Sequence, residues 1–251
     1  MQTTAINDRS AVTGAIQLAS ARSGVDFSYL YAQAKLESGL NPNAKAATSS
    51  ARGLYQFTSA TWLDMVRKHG SANGLGWAAD ALRAGASPAT RVAILDLRRD
   101  PQAAASMAAA FASDNRVSLE AGLSRPASAT DLYIAHFLGA GGALKFLRAY
   151  DADPLAAGAS VAVAAAHANH AVFYAAGGAP RTLAAIYDGF AAKLSGTAVP
   201  DTGSRLPVQW AANLPSSTSA TPTPAWLSQA PLTATPQSAR LAYLALAELA
   251  V

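Results

Sequence analysis

Apolar positions recur along residues 10–194 at intervals of three and four, and no stretch alternates residue by residue, so the pattern predicts an all-α fold. Ser10 is placed to cap a first helix through about Ser23, with Val12, Ile16 and Ala19 on one face and Gly24 closing it. Residues 1–9 read as a loose polar tail. Asp26 then caps a helix bearing Phe27, Leu30, Tyr31 and Ala34, which Gly39 and the Asn41-Pro42 pair stop. A polar loop runs from Asn43 to Arg52, and Thr58 or Ser59 caps a helix with Trp62, Met65 and Val66 on its apolar side, ended by Gly70. Further helices are predicted at 77–84 and at 88–98, the second capped by Ser87 with Pro88 in its first position. Asp100-Pro101 repeats that signature before an alanine-rich helix to about Leu123. Beyond Pro126, helices are expected at 130–138, 142–150, 156–173 and 181–194, with the Gly139–Gly142 turn separating the first two.

The composition changes after Ser195. Residues 1–195 form the predicted helical domain, and 196–251 a Pro/Ser/Thr-rich linker or tail that holds seven of the 13 prolines. Helical periodicity returns only at 238–250 (SARLAYLALAELA), a candidate docking helix or partner-binding segment. The chain as a whole is 51% hydrophobic and 14% charged, which excludes disorder over its full length. With no cysteine it has neither disulfides nor thiolate metal sites. A formal charge of +4 suits an anionic polymer or surface, but without clustered Lys and Arg a nucleic-acid partner is not expected. No transmembrane span is predicted. The first 20 residues lack the marks of a secretory signal, which leaves the export route open. His167 and His170 stand at i, i+3 without an accompanying carboxylate, so neither a metal site nor a cofactor is expected.

One carboxylate changes the picture. Counted from Leu30, Ala34 is i+4 and Glu37 is i+7, so Glu37 falls on or beside an apolar stripe. Burial there disfavours the ionised form and suits a general acid. The alternative is a structural Glu at a helix end, bonded to a nearby amide or to Arg52. Glu37-Ser38-Gly39-Leu40-Asn41-Pro42, followed by Gly53-Leu54-Tyr55-Gln56, resembles the SLT-type lytic transglycosylases, whose catalytic domain is goose-lysozyme-like. Tyr55 stands where that family more often has Met. Two linked motifs in the right order carry the resemblance, strongly over 34–66 and more loosely across 10–190.

The resemblance implies a lysozyme-like helical domain with a saccharide groove. It also implies cleavage of the β-1,4 bond between N-acetylmuramic acid and N-acetylglucosamine in peptidoglycan. Glu37 would protonate the leaving oxygen and then accept the proton of the muramoyl C6 hydroxyl, which closes to a 1,6-anhydro product. The nucleophile is internal, so no second carboxylate is needed, unlike the paired-carboxylate glycosidases. The sequence is compatible with this, having only Glu37, Glu120 and Glu248, and no Asp within twenty residues after Glu37. Ser38, Gly53, Leu54, Tyr55 and Gln56 are the expected substrate-binding residues, with Tyr55 as a face for a sugar ring and Gln56 as a holder of N-acetyl groups. The family's third motif, Ala-Tyr-Asn-Ala-Gly-x-Gly, is altered here to Ala135-His136-Phe137-Leu138-Gly139-Ala140-Gly141. Tyr133, one turn earlier, or His136 itself would then support Glu37, and Tyr133, His136 and Phe137 join the expected site. The competing readings are a muramidase that uses water and a non-cleaving wall-binding scaffold. The expected setting is the cell envelope or periplasm, with peptidoglycan strands as partner and a monomeric chain. The tail would recruit a protein such as a flagellar or secretion apparatus.

Overall fold

The computed structural model describes residues 2–197, with side chains from Arg9 onward. Eleven α-helices are described there, and no strand. The Pro-rich stretch, the terminal helix at 238–250 and any partner role of the tail lie outside the described residues.

Helix α1 (Gln2–Ser23) lies along α6 (Pro101–Leu123), which in turn packs on α7 (Ala129–Ala152). These three form the frame. Close approach follows from small side chains: Ala103, Ala104, Ala105, Ala108, Ala109 and Ala112 of α6 are all buried. Helix α2 (Phe27–Ser38) is held between α1 and α11 (Leu183–Ser195), and α11 also packs on α7. Helices α3 (Ser59–His69), α4 (Gly76–Arg83) and α5 (Pro88–Asp96) cluster together, with α3 bound to α6. Trp62 of α3 is fully buried, and its indole N–H donates to the Ile94 carbonyl at 2.7 Å, tying α3 to α5.

The caps follow the sequence closely. Asp26, Thr58, Ser87 and Asp100 each accept a backbone N–H three residues on. Gly39 closes α2 in the left-handed region at φ 61°. Ser128 and Asp131 form a reciprocal capping box on α7, and Arg125 pairs with the buried Asp131 at 2.6 Å.

Three stretches differ from the sequence reading. The first helix begins at Gln2 rather than after Ser10, because residues 2–9 contain no Gly or Pro to stop it. The expected pair at 130–138 and 142–150 is one element, α7, interrupted only at Gly139 (φ 73°, ψ 158°), a conformation that requires glycine. The expected helix at 156–173 is three short pieces, α8 (Gly158–Val161), α9 (Val163–Ala168) and α10 (His170–Phe173), broken at Ala162 and Asn169. Two forces break it. The Asn169 amide donates to the Ala165 carbonyl, and backbone bonds from Gly158 to Arg181, from Leu183 to Ala156 and from Arg181 to Phe173 fold the segment back on the start of α11.

Candidate active site

Helix α2 places Tyr29, Gln33 and Glu37 at successive i, i+4 positions, and all three are buried. The Glu37 side chain has 0% exposure. Across from it, α7 presents His136, 99 residues later in the chain, whose Nε2 lies 3.0 Å from Glu37 Oε1. The other ring nitrogen, Nδ1, lies 3.2 Å from Gln33 Nε2. The imidazole thus bridges the two side chains, one ring nitrogen facing Gln33 and the other Glu37. The ring is fixed on both sides, stacked on Tyr133 at 6.0 Å and edge-on to Phe111 at 6.1 Å. Glu37 Oε2 is buried and no protein donor reaches it.

The phenols of Tyr29 and Tyr133 belong to the same cluster. Burial pushes both well above the ordinary tyrosine range, and the nearby Glu37 charge adds to the rise. Two buried carboxyl groups occur among the described residues, and the other, Asp131, is consumed by its cap and by Arg125. Arg52, the sequence's alternative partner for Glu37, turns to Asp96 instead, at 3.8 Å. Among the described residues no three His, Cys, Asp or Glu side chains converge on a possible metal position, and no helix is long and apolar enough to cross a membrane.

The loop after Glu37 is a tied structure rather than an open wall. Isolated antiparallel bridges join Lys45 to Arg52 and Arg52 to Phe57. Ser38 donates its hydroxyl to the Leu54 carbonyl at 2.8 Å, with the Ala34 carbonyl at 3.1 Å. That fastens the two motifs to each other. Gly53 sits at φ 82°, and a Cβ there would meet the Arg98 carbonyl oxygen at 1.9 Å, so the glycine is required twice over. The Arg98 guanidinium, itself buried, donates to the carbonyls of Leu95, Ser50 and Phe57. Burial and the neighbouring Arg52 lower its pKa against the raising effect of Asp96, yet it stays a cation with its donors used on backbone.

These placements correct several expected roles. Tyr55 is 1% exposed and donates its hydroxyl to the Leu30 carbonyl, so it has no face for a sugar ring. Leu54 and Phe137 are core residues, Phe137 packing on Phe173 and Phe190. The Gln56 amide nitrogen donates to the carbonyls of Gly53 and Ala44, which turns it inward and away from N-acetyl groups. Ser38 and Gly53 shape the loop. Tyr133 makes no protein hydrogen bond to Glu37; His136 does. Sequence reasoning missed Gln33 and Tyr29. Their signal was the four-residue spacing back from Glu37, hidden because a Gln and a Tyr on a helix read as filler.

The buried acid at the end of one helix, fixed by a histidine from a second and backed by a glycine-dependent loop, sits in an all-α domain of the lysozyme-like class. Residues 14–120 match the family described as "Transglycosylase SLT domain", and the domain they form belongs to the SLT-type lytic transglycosylases, which act on peptidoglycan. The matched span includes Glu37, the 53–56 loop and Arg98 but ends before His136.

Proposed function

We propose that this protein is a peptidoglycan lytic transglycosylase in which Glu37 is both acid and base. It cleaves the N-acetylmuramic acid to N-acetylglucosamine β-1,4 bond and leaves a 1,6-anhydro end. The supporting observation is Glu37 itself: a fully covered carboxyl with Oε1 engaged by His136 Nε2 and Oε2 unclaimed by any protein donor.

In the first step the proton on Glu37 Oε2 passes to the glycosidic oxygen as the C1–O bond breaks. Negative charge is left on the carboxylate while positive charge spreads over C1 and the ring oxygen. His136 Nε2–H then donates to a carboxylate rather than a neutral acid, a bond that strengthens as the charge develops. In the second step the C6 hydroxyl attacks C1 and Glu37 takes its proton, returning to the starting form. One carboxyl closes the cycle. The second buried carboxyl, Asp131, is held in an ion pair, which favours the internal nucleophile over hydrolysis. Because the Glu37 side chain is covered, a glycan reaches Oε2 only after neighbouring side chains move.

Glu37→Gln keeps size and helix register and removes the transferable proton. Release of soluble muropeptides from sacculi is expected to fall on the order of 10²- to 10⁴-fold, with the circular dichroism spectrum unchanged. Retained cleavage would refute the assignment. Mass spectrometry of the wild-type products is expected to show anhydro ends, whereas reducing ends would make the enzyme a water-using muramidase. Binding of sacculi without any release would make it a wall-binding scaffold. By extension the site of action is the cell envelope, with glycan strands as the partner, a monomeric catalytic unit, and a tail that recruits an assembly of the flagellar or secretion kind.

A further inference from the structure

We infer that Phe111 is the gate of the proposed active site: its ring closes the way to Glu37 and swings aside for a glycan to enter. The inference rests on the acid–base role proposed for Glu37 and names the side chain whose movement the burial of that acid requires.

Four aromatic rings stand at or next to the Glu37–His136 pair: Tyr29 from α2, Phe57 from the loop, Phe111 from α6 and Tyr133 from α7. Tyr29, Phe57 and Tyr133 are buried, and of the four Phe111 alone is partly exposed. Its ring meets the His136 imidazole edge-on at 6.1 Å and the Phe57 ring edge-on at 6.5 Å. Phe111 therefore spans the seam between the motif loop and α7, with the acid pair on its inner side and solvent on its outer side.

The neighbouring rings are each held from two directions. His136 is engaged at both ring nitrogens, by Glu37 and by Gln33. Tyr133 is wedged between His136 and Phe190. Phe57 lies between Phe111 and Trp62, whose indole is itself tied to the Ile94 carbonyl. Moving any of these would disturb the core or break hydrogen bonds. Moving Phe111 breaks two edge contacts and no hydrogen bond. A long side chain on a helix leans over the preceding turn, where Phe111 finds Met107 and Ala108, and Ala108 offers little bulk to hold it. Rotamer changes of a side chain with one face in water are fast compared with enzyme turnover. The least costly opening to Glu37 Oε2 thus begins at Phe111 and leaves every helix in place.

The test labels the carboxyl groups of the 251-residue chain with a water-soluble carbodiimide and glycinamide at mildly acidic pH, each site read by peptide mass spectrometry. Asp80, 75% exposed, and Asp131, 0% exposed, mark the open and closed limits. In wild type Glu37 is expected to label far more slowly than Asp80. Phe111→Ala is expected to speed Glu37 labelling about tenfold or more while Asp131 stays protected, since removing a gate raises the open fraction. On soluble glycan strands it should lower KM about three- to tenfold and change kcat by less than about twofold, because apparent affinity no longer carries the cost of opening. Phe111→Leu should fall between the two, and Phe111→Trp should slow labelling and raise KM. Glu37 labelling as fast as that of Asp80 in wild type would overturn the inference. So would an unchanged Glu37 rate in both truncations, or a joint rise of Glu37 and Asp131 in both, which marks a loosened core. A raised KM in Phe111→Ala would also overturn it, by making the ring a contact for the sugar. Should wild type cleave no peptidoglycan, the proposed function fails, while the carboxyl labelling still decides the role of Phe111.

Discussion

Gly53 shows how a motif residue can be required by the fold itself. The Arg98 carbonyl oxygen occupies the place of its Cβ, and its φ of 82° lies in the left-handed region. Gly53→Ala therefore meets both backbone strain and a collision with a carbonyl that is itself part of the fold. The expected cost is about 3 kcal/mol or more, or roughly 6–12 °C in melting temperature for a chain of this size, read by calorimetry. At this scale the sequence was informative about Glu37, since seven residues from Leu30 is two turns and the stripe had to carry it inward. It was misleading about Tyr55 and Gln56, because polar tips on a motif suggest ligand contact. Their hydroxyl and amide groups satisfy buried carbonyls of Leu30, Gly53 and Ala44 instead. That choice depends on partners distant in the chain and has no local signature.

Among the elements, the loop 43–57 depends on Arg98 as a helix depends on its caps. One guanidinium reaches carbonyls of Ser50 and Phe57 on the loop and of Leu95 beneath it. Arg98→Met is expected to destabilise by about 3 kcal/mol, and hydrogen exchange should show lost protection at the Arg52 amide, which donates to the Phe57 carbonyl. Arg98→Lys should recover little, since an ammonium on a flexible stem does not match a planar fork. Helix boundaries were legible wherever a cap sets them, as at Asp26, Ser87-Pro88 and Asp100-Pro101. The breakdown of 156–173 was not. Its alanines favour helix at every position, and the bonds that break it come from Arg181 and Leu183, beyond the window of any periodicity.

For the whole molecule, three buried phenols make a property no single element shows. Burial raises Tyr29, Tyr55 and Tyr133 above their unfolded value, with Glu37 adding to the first and third and Tyr29 to the second. Below about pH 10 both folded and unfolded chains keep these protons, and the contribution to stability is complete. Above it the unfolded chain releases protons that the folded one retains, so stability falls by about 1.4 kcal/mol per pH unit for each, or about 4 together. Urea midpoints should hold level from about pH 9 to about pH 10 and follow that slope from there to about pH 11. Phenolate absorbance should show these three ionising only with unfolding. The distance of 99 residues between Glu37 and His136 has a consequence in time as well as in space. During synthesis the acid leaves the ribosome long before its partner is made. Any nascent or truncated chain ending before residue 136, even one holding the whole matched span to residue 120, carries Glu37 with nothing opposite Oε1. The closing of α7 onto α2 is therefore the event that completes the proposed site.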